Sequence, residues 1–442
     1  MLNNKKSKQY EALNEPKEGC VMTNHRNWAG NFAYGAAALQ VPEDTEQVQE
    51  WVARSERVKV LGTRHSFNDI ADTEGVHLSL EKLNKIVALD PANRRVTVEA
   101  GIRYGDLCRE LHDRGYALHN LASLPHITVA GAVATATHGS GDGNGNLATV
   151  VHAIEVVQGN GETVTFTRGQ ADGLFEGAVV GLGALGVVTK LTLDVVPAYQ
   201  ICQHVYEHLP LAQLEEHLDA VYGSAYSVSL FTDWRQAAFN QAWVKRVWSG
   251  PDDERGEASF YGARPASARL HPVPGQPSEN CSEQLGVPGP SYERLPHFRM
   301  DFTPSAGEEL QSEYFVPRRH AYDALCAVER LRTRIAPLLH VSEVRSIARD
   351  NLWMSPNYER DSIGIHLTWK SEGEAVRSLL PEIEQALEPF EARPHWGKLF
   401  TMSPERVQAR YEKLPAFREL VRNCDPQGKF RNEFLDRYIL GG

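Results

Sequence analysis

The residue that most directly suggests chemistry is His65, in the loop 61–68 (LGTRHSFN). The apolar residues just before the loop predict a short strand, and Gly62 allows the backbone to turn sharply with its amides exposed. Such a loop can bind a pyrophosphate, and its imidazole can then reach the edge of a flavin ring. A histidine beside a glycine is more often a hydrogen-bonded turn residue, so the loop alone leaves both interpretations open.

A second segment, 123–145 (SLPHITVAGAVATATHGSGDGNG), interleaves glycines with small residues and contains His138. Residues without bulk let a long cofactor lie against the backbone and form hydrogen bonds with it. The run is rich in Ala, Val and Thr, whereas a solvated surface loop favours Ser, Asn and Pro. We therefore favour a cofactor cradle over an exposed glycine-rich loop.

The chemistry beyond the cofactor is expected from two strand-like segments, 341–346 (VSEVRS) and 364–370 (GIHLTWK). Side chains two residues apart share one face of a strand, so Glu343 lies beside Arg345 and His366 beside Thr368. One face of each strand can pack a core while the other meets a substrate. An amphipathic sheet with a solvated polar face explains the same pattern, and the alternation alone favours that simpler interpretation.

The elements that must position these residues follow from hydrophobic periodicity. It predicts helices at 43–55 and at 104–115, the second closed by Gly115, and strands at 57–61, 76–80, 85–90 and 95–101. The segment 181–186 (GLGALG) has the spacing of a dinucleotide-binding turn, but the strand-like run VVTKLTLDVV follows it where a helix is required. An α+β cofactor domain without a Rossmann turn is therefore expected.

A long irregular stretch, 250–296, holds eight prolines. So long a segment is either a linker or a loop that covers a functional surface. Its aromatic residues Phe260, Tyr261 and Tyr292 favour a packed covering, because a flexible linker needs few of them.

Composition excludes several classes of protein. The 442 residues carry a formal net charge of −11, which argues against nucleic-acid binding, since such proteins present a basic face. The six cysteines have no zinc-binding spacing, so no metal site is expected. The longest apolar stretch is broken by glycines, and the polar N-terminus lacks the apolar segment of a secretion signal. A cytoplasmic protein without a membrane span is expected.

The chain resembles the vanillyl-alcohol oxidase type of FAD enzymes and, within that type, the alditol oxidases. Besides the two loops, the resemblance is carried by HPVPG (271–275), GVPGP (286–290), ERLPHFR (293–299), LQSEYFVPR (310–318), RPHWGK (393–398) and DPQGKF (425–430). It implies a two-domain α+β fold, with a discontinuous FAD-binding domain of the PCMH type and an inserted substrate domain built on an antiparallel sheet flanked by helices.

The implied boundaries place the FAD-binding domain at 27–197 and 395–442, and the substrate domain at 198–394. The polar segment 1–26 falls outside the resemblance and is expected to be a disordered extension. Lys398 would then lie at a domain junction, a usual location for small-molecule sites.

The resemblance implies that His65 carries FAD covalently through the flavin 8α-methyl group. The other residues implied to contact the cofactor are Val60, Leu61, Gly62, Thr63, Arg64, Ser66, Ser123, Thr128, Gly131, Thr135, Ala136, Thr137, His138, Val188 and His395. Many relatives have glycine at the position of Arg64. A positive φ at that position would therefore have to be adopted by an arginine, for which it is less favourable than for glycine.

The resemblance also implies a polyol substrate, bound by Ser123, Glu343, Arg345, Thr368 and Lys398, with His366 beside them. The expected reaction oxidises the C1 primary alcohol of sugar alcohols such as xylitol and sorbitol to the aldose. A hydride passes to flavin N5, and O2 reoxidises the flavin to give hydrogen peroxide. The cations Arg345 and Lys398 would stabilise negative charge developing on the C1 oxygen.

Three alternatives stay open at this point. Glu343, His366 and Lys398 can each accept the hydroxyl proton once neighbours tune their pKa values. The alternative function is an aldonolactone oxidase or dehydrogenase of the same fold, and a more distant one is an idle flavin-binding protein. The expected partners are a small-molecule polyol and O2, with the chain a monomer or small homo-oligomer.

Overall fold

A computed structural model of the chain describes residues 25–251, 256–302 and 309–441. Of the extension predicted at 1–26, only His25 and Arg26 fall within these ranges, and Arg26 forms a β-bridge with Ala33. Across the described ranges, no helix is both long and apolar enough to cross a membrane.

The N-terminal part of the chain builds two sheets and a short strand pair. A parallel sheet in the order β1-β3-β2 contains Ala38–Gln40 (β1), Val58–Leu61 (β2) and Val76–Ser79 (β3). An antiparallel sheet in the order β4-β5-β9-β7-β8 contains Ile86–Asp90 (β4), Arg95–Glu99 (β5), Val151–Val157 (β7), Thr163–Thr167 (β8) and Val187–Asp194 (β9). Tyr116–Ala117 (β6) pairs with Val196–Pro197 (β10).

The helices of this part are Thr45–Arg54, Tyr104–Asp113, Val129–Ala134 and Phe175–Ala178, with 3-10 turns at Asp69–Ala71 and Leu147–Val150. The predicted helices at 43–55 and 104–115 and the four predicted strands are confirmed. Asp44 caps the first helix by accepting from the Gln47 amide at 2.8 Å. The GLGALG segment runs directly into β9, so the exclusion of a Rossmann turn is also confirmed.

A nine-stranded antiparallel sheet dominates the middle of the chain. Its main path runs β14-β11-β13-β12-β17-β18-β16-β19, and β15 pairs with β11. The strands are Gln200–Pro210 (β11), Ser227–Thr232 (β12), Ala238–Val247 (β13), Arg264–Pro265 (β14), Gly289–Pro290 (β15), Glu309–Pro317 (β16), Leu339–Ile347 (β17), Ser362–Lys370 (β18) and Arg393–Pro394 (β19). The accompanying helices are Gln213–Gly223, Ser291–Arg294, Ala321–Glu329, Arg332–Ile335 and Gly373–Leu387, with 3-10 turns at Arg318–His320 and Glu388–Phe390.

The two faces of this sheet differ in chemistry because strand residues alternate. Ile365, Leu367 and Trp369 of β18 are fully buried and belong to the main core together with residues of the helices Ala321–Glu329 and Gly373–Leu387. The residues between them, including His366 and Thr368, project from the opposite face. That face is covered by other parts of the chain.

The irregular stretch 250–296 was predicted to be a packed covering, and its described residues do pack on the large sheet. Its short strands β14 and β15 both pair with β11. A small second core joins the stretch to the sheet through Cys281, Phe231, Trp243 and Val341. In the part of the stretch that the structure describes, the aromatic residues therefore indicated packing correctly.

The C-terminal segment returns to the N-terminal sheets. It forms the helices Pro404–Gln408, Leu414–Cys424 and Glu433–Leu435 and a π-helical turn at Asp436–Leu440. Lys429 Nζ donates to Val52 O at 2.8 Å and to Ala53 O at 3.0 Å. The Asn432 carboxamide donates to three carbonyls of the Asp69–Ala71 turn region, those of Asp69, Ile70 and Asp72.

Candidate active site

A single row of side chains crosses five strands of the large sheet. Gln241 pairs with Phe231, Phe231 with Glu343, Glu343 with His366, and His366 with Glu313. Residues paired in this way project from the same face. Glu343 and His366 are only 5% and 8% exposed, so the interpretation as a solvated polar face is wrong here.

Glu313, on β16, is the centre of the charged cluster. Its Oε1 accepts from Arg345 Nη2 at 2.9 Å and lies 3.1 Å from His138 Nε2. Its Oε2 accepts from Lys398 Nζ at 2.6 Å. Burial alone would raise the pKa of Glu313, but Lys398, His138 and Arg345 hold that pKa well below its usual value. One buried carboxylate therefore contacts two cations.

Glu343 forms a second, smaller cluster with Arg345 and His297. Its Oε1 accepts from His297 Nε2 at 2.7 Å and lies 3.5 Å from Arg345 Nε. Burial opposes ionisation of Glu343, but Arg345 and His297 lower its pKa below the usual range. Glu343 is thus a carboxylate that accepts hydrogen bonds.

Lys398, His366 and Thr368 form a hydrogen-bonded chain. Lys398 Nζ lies 2.6 Å from His366 Nδ1, and His366 Nε2 lies 3.0 Å from Thr368 Oγ1. Burial first, and then Lys398, lowers the pKa of His366 to about 4, so the imidazole is neutral. Since lysine donates to Nδ1, the proton resides on Nε2 and is donated to Thr368. The Thr368 hydroxyl hydrogen is left for a ligand. Burial lowers the pKa of Lys398 as well.

The His65 loop adopts a strained turn. Arg64 has a φ of 65°, in the left-handed region that glycine favours. The sequence placed the sharp turn at Gly62, but the left-handed residue is Arg64. Gly62 is required for a different reason, because a Cβ there would meet Thr128 Oγ1 at 2.9 Å. A Cβ on Gly131 would meet the same atom at 2.9 Å.

Only one of the two ring nitrogens of His65 has a hydrogen-bond partner among the described residues. Its Nδ1 lies 3.0 Å from Thr63 Oγ1, and its ring stacks on Trp28 with centroids 5.0 Å apart. Its Nε2 is buried and has no hydrogen-bond partner among the described residues. Burial lowers the pKa of His65 to about 4, so the ring is neutral and keeps a lone pair.

The loop that carries His65 is tied to the segment that carries Lys398. Phe67 N donates to Gly397 O at 2.8 Å, and the Asn68 carboxamide donates to Trp396 O and Lys398 O at 2.8 and 2.9 Å. The glycine-rich segment is tied to the sheet in a similar way, through Gly141 N and Ser346 O at 2.9 Å. The hydrogen bonds therefore fix both loops against the charged cluster.

One cavity of about 2060 Å³ connects these parts. All the predicted substrate residues and all the predicted cofactor residues except one line it: Val60, Leu61, Gly62, Thr63, Arg64, His65, Ser66, Ser123, Thr128, Gly131, Thr135, Thr137, His138, Val188, Glu343, Arg345, His366, Thr368, His395 and Lys398. The exception is Ala136, which is fully buried in the main core. Its φ of 54° belongs to a tight turn after the helix Val129–Ala134.

Three residues of the cluster were missed by sequence reasoning. Glu313 lies in LQSEYFVPR and His297 in ERLPHFR, while Lys245 lies on β13 with its Nζ 3.2 Å from His297 Nδ1. Both strands carry other polar residues, such as Gln311 on β16 and Gln241 on β13, so the local pattern gives no signal that Glu313 and Lys245 are buried.

Comparison with known proteins assigns the family. The chain is 50% identical to an alditol oxidase from a Streptomyces species over 419 residues, which covers 94% of this chain and 99% of that protein. The chain belongs to the alditol oxidase family. Residues 36–167 match the FAD binding domain family, and residues 304–438 match the family described as D-arabinono-1,4-lactone oxidase.

Two other known proteins are similar over nearly the whole chain. An L-gulono-1,4-lactone dehydrogenase from Mycobacterium tuberculosis is 28% identical over 445 residues, covering 94% of this chain and 98% of that protein. The crystal structure of a cholesterol oxidase from B. sterolicum superposes with a TM-score of 0.76 at 15% identity, over 97% of this chain and 98% of that one. The latter confirms the predicted fold.

FAD fits the residues of this alditol oxidase family member. Gly62 and Gly131 both line the cavity beside Thr128, and a Cβ on either would meet Thr128 Oγ1 at 2.9 Å. The buried, unpartnered Nε2 of His65 provides a neutral nitrogen beside the same cavity, and burying such an atom without a partner is costly unless a bound group contacts it.

Proposed function

We propose that the protein oxidises the C1 primary alcohol of sugar alcohols such as xylitol and sorbitol to the aldose, with O2 as the electron acceptor and hydrogen peroxide as the second product. The observation that carries the proposal is that Glu343, Arg345 and Lys398 line the same cavity as the His65 loop. The alditol oxidase relative supports the substrate class. We further propose that the protein acts in the cytoplasm as a monomer or small homo-oligomer.

FAD, when bound, supplies the two-electron acceptor for the hydride from the alcohol carbon, and O2 then reoxidises it. We assign its covalent attachment to His65, because this imidazole is neutral and has a free nitrogen. Gly62, Gly131 and the neighbouring small residues hold the cofactor close to the backbone. His138 and His395 line the cavity near Glu313 and complete the proposed contacts.

A polyol suits the polar end of the cavity because each of its hydroxyls can both donate and accept. Glu343 accepts from a hydroxyl, while Lys398, Arg345 and Thr368 donate. Arg345 Nε is buried 3.5 Å from Glu343 Oε1 and has no hydrogen bond among the described residues, so the guanidinium keeps an unused donor at this end of the cavity. Leaving such a group unpaired costs about 1–3 kcal/mol. Alcohols with few hydroxyls would therefore be poor substrates.

The charges in the site favour loss of the hydroxyl proton. Lys398 Nζ contacts Glu313 and His366, which leaves one of its donors for the substrate oxygen. That donor and the Arg345 guanidinium stabilise the negative charge that develops on the oxygen. Ser123 accepts from Arg345 Nη1 at 3.3 Å, so its own hydroxyl hydrogen is available to the substrate.

We also propose that residues 27–197 and 395–442 form the FAD-binding domain and that residues 198–394 form the inserted substrate domain. The contacts of Lys429 and Asn432 with the N-terminal segments support this division. The boundary proposed at 394–395 is supported by the pairing of β19 with β16, which ends directly before His395.

The deciding experiment measures hydrogen peroxide formed from xylitol, sorbitol and L-gulono-1,4-lactone by the purified flavoprotein. We expect peroxide with both alditols and little with the lactone. Covalent attachment is tested separately, by precipitating the protein with acid and recording the visible spectrum of the pellet. The pellet should be yellow for the wild type and colourless for His65→Ala.

The second candidate function is oxidation of an aldonolactone. It is favoured by the match of residues 304–438 to the D-arabinono-1,4-lactone oxidase family and by the gulonolactone dehydrogenase relative. Turnover of the lactone without turnover of either alditol would establish this function and reject the alditol proposal.

A further inference from the structure

His297 joins three parts of the molecule at the substrate end of the cavity. Its side chain donates from Nε2 to Glu343 Oε1 at 2.7 Å. Its backbone amide donates to Ser123 O at 3.1 Å, on the loop that faces the cofactor region. Its Nδ1 lies 3.2 Å from Lys245 Nζ. Two proposed substrate contacts, Glu343 and Ser123, are therefore both bonded to this one residue.

Lys245 determines which nitrogen of His297 carries the proton. The lysine Nζ also donates to Leu295 O and, at 3.4 Å, to Pro296 O, so its three hydrogens face three acceptors. His297 Nδ1 is one of these acceptors, so the proton of the neutral ring is on Nε2, pointing at Glu343. Burial lowers the pKa of His297 to about 4 and that of Lys245 to about 7.

The ring of His297 has little freedom to rotate. The edges or faces of Phe231 and Trp243 meet it with centroids 5.4 and 5.2 Å away, in near-perpendicular arrangements. Lys245 is fully buried and lies near the C-terminal end of β13. The donor to Glu343 is thus fixed by packing as well as by hydrogen bonds.

Glu343 has one oxygen left for a ligand. Its side-chain contacts with His297 and Arg345 are both made by Oε1. Among the residues that the structure describes, Oε2 has no such contact, and Glu343 lines the cavity. A carboxylate held through one oxygen presents the other in a defined direction, which is what selective recognition of one hydroxyl requires.

We propose that His297 is a positioning residue that sets substrate specificity, by aiming Glu343 Oε2 at a substrate hydroxyl and fixing its spacing from Ser123, with Lys245 selecting the donating tautomer. This inference rests on the proposed polyol oxidation. It predicts that His297 acts on binding through Glu343, and not independently of it.

The test is a double-mutant cycle on the holoenzyme, using anaerobic bleaching of the flavin by sorbitol to obtain a Kd and a limiting rate. His297→Leu should raise the Kd by about tenfold or more, the usual effect of losing one hydrogen bond to a charged group, with a smaller change in the limiting rate. His297→Gln, whose amide can still donate, should recover part of the affinity. Lys245→Met should show a weaker increase. In the Glu343→Gln background, His297→Leu should have almost no further effect.

Independent, multiplying effects of His297→Leu and Glu343→Gln on the Kd would overturn the inference while leaving polyol oxidation intact. An unchanged Kd in both His297→Leu and Lys245→Met would also overturn it. Failure of wild-type flavin to bleach with any polyol would instead reject the proposed function. The flavin content and melting temperature of each variant show whether it is folded. If His297→Leu is not folded, the Kd values of His297→Gln and Lys245→Met are compared with that of the wild type instead.

Discussion

Two regions around the cavity are built on opposite principles. On the large sheet, the carboxylates Glu313 and Glu343 are already paired with cations or histidines of the chain itself. On the loops 61–68 and 128–138, the chain supplies small residues, a left-handed Arg64 and a histidine nitrogen without a partner. The charges of the sheet region are therefore already paired within the chain, which leaves only single donors and acceptors for a ligand, whereas the loop region is shaped to receive a whole bound group.

This difference indicates how the two regions resist change. Charges buried in a network are strongly interdependent, because removing one leaves its partners uncompensated in a medium of low polarity. A loop stabilised mainly by a bound group depends on that group for its stability. Substitutions on the sheet should therefore affect catalysis and folding together, and substitutions on the loop should act mainly on the cofactor or on local strain.

The largest effect is expected for Lys398→Met. Removing the cation beside the substrate oxygen should lower the limiting rate of anaerobic flavin bleaching by about 100- to 1000-fold, as for other donors that stabilise developing charge. Lys370→Met is the matched control, because Lys370 also lines the cavity but donates to a carbonyl, Pro337 O. A rate for Lys398→Met within tenfold of the wild type would contradict the role given to this lysine.

The next effect concerns stability. Glu313→Gln keeps the size of the side chain but leaves Arg345 and Lys398 without their shared anion, and should lower the free energy of unfolding by about 3 kcal/mol. Urea denaturation of the holoenzyme measures this change. The comparison is Glu155→Gln, which removes a more exposed partner of Lys190 and should cost less than about 1 kcal/mol. Equal losses of unfolding free energy in Glu313→Gln and Glu155→Gln would contradict the view that the buried Glu313 is more important for stability than a more exposed ion pair.

Lowering the pH should decrease the free energy of unfolding, because Glu313 and Glu343 become protonated. The pKa values of Glu313 and Glu343 lie below the ordinary value of 4.5, so the unfolded chain takes up protons first as the pH falls. Their contribution is complete above about pH 5 and is lost below it, at about 1.4 kcal/mol per pH unit for each group. Urea unfolding from about pH 6 to about pH 3 should give a steeper decline for the wild type than for Glu313→Gln. Parallel dependences of the unfolding free energy on pH in the two proteins would show that the pKa of Glu313 is not lowered in the folded state.

The smallest effect is expected on the loop. Arg64→Gly should relieve the left-handed strain and raise the free energy of unfolding of the flavin-free protein by a few tenths to about 1 kcal/mol relative to Arg64→Ala, which keeps the Cβ. The alanine variant is the proper reference because both substitutions remove the guanidinium. A glycine variant less stable than the alanine variant would mean that the turn is not strained.

Prediction from sequence succeeded where one local pattern decides the outcome. The alternation in VSEVRS and GIHLTWK correctly placed Glu343 with Arg345 and His366 with Thr368, because strand geometry fixes side-chain direction. The alternation in VVTKLTLDVV, directly after GLGALG, also predicted the strand β9 correctly. The registers of β16 and β12 against their neighbours depend on the whole sheet, so the row that adds Glu313 to His366 could not be derived. The left-handed turn at Arg64 is set by tertiary contacts, and Ala136 was assigned by analogy although its turn buries it.

The return of the chain to its N-terminal sheets has a consequence for how the molecule is made. Arg57 donates to Gly428 O across 371 positions of sequence, and Lys429 to Val52 O across 377. A ribosome must therefore synthesise the entire large sheet before the strand that leads into the His65 loop gains these partners. Such distant closures are slow because of their entropy. The proposed attachment of the flavin to His65 should consequently be a late, post-translational event, and deletion of residues 425–441 should yield a colourless protein.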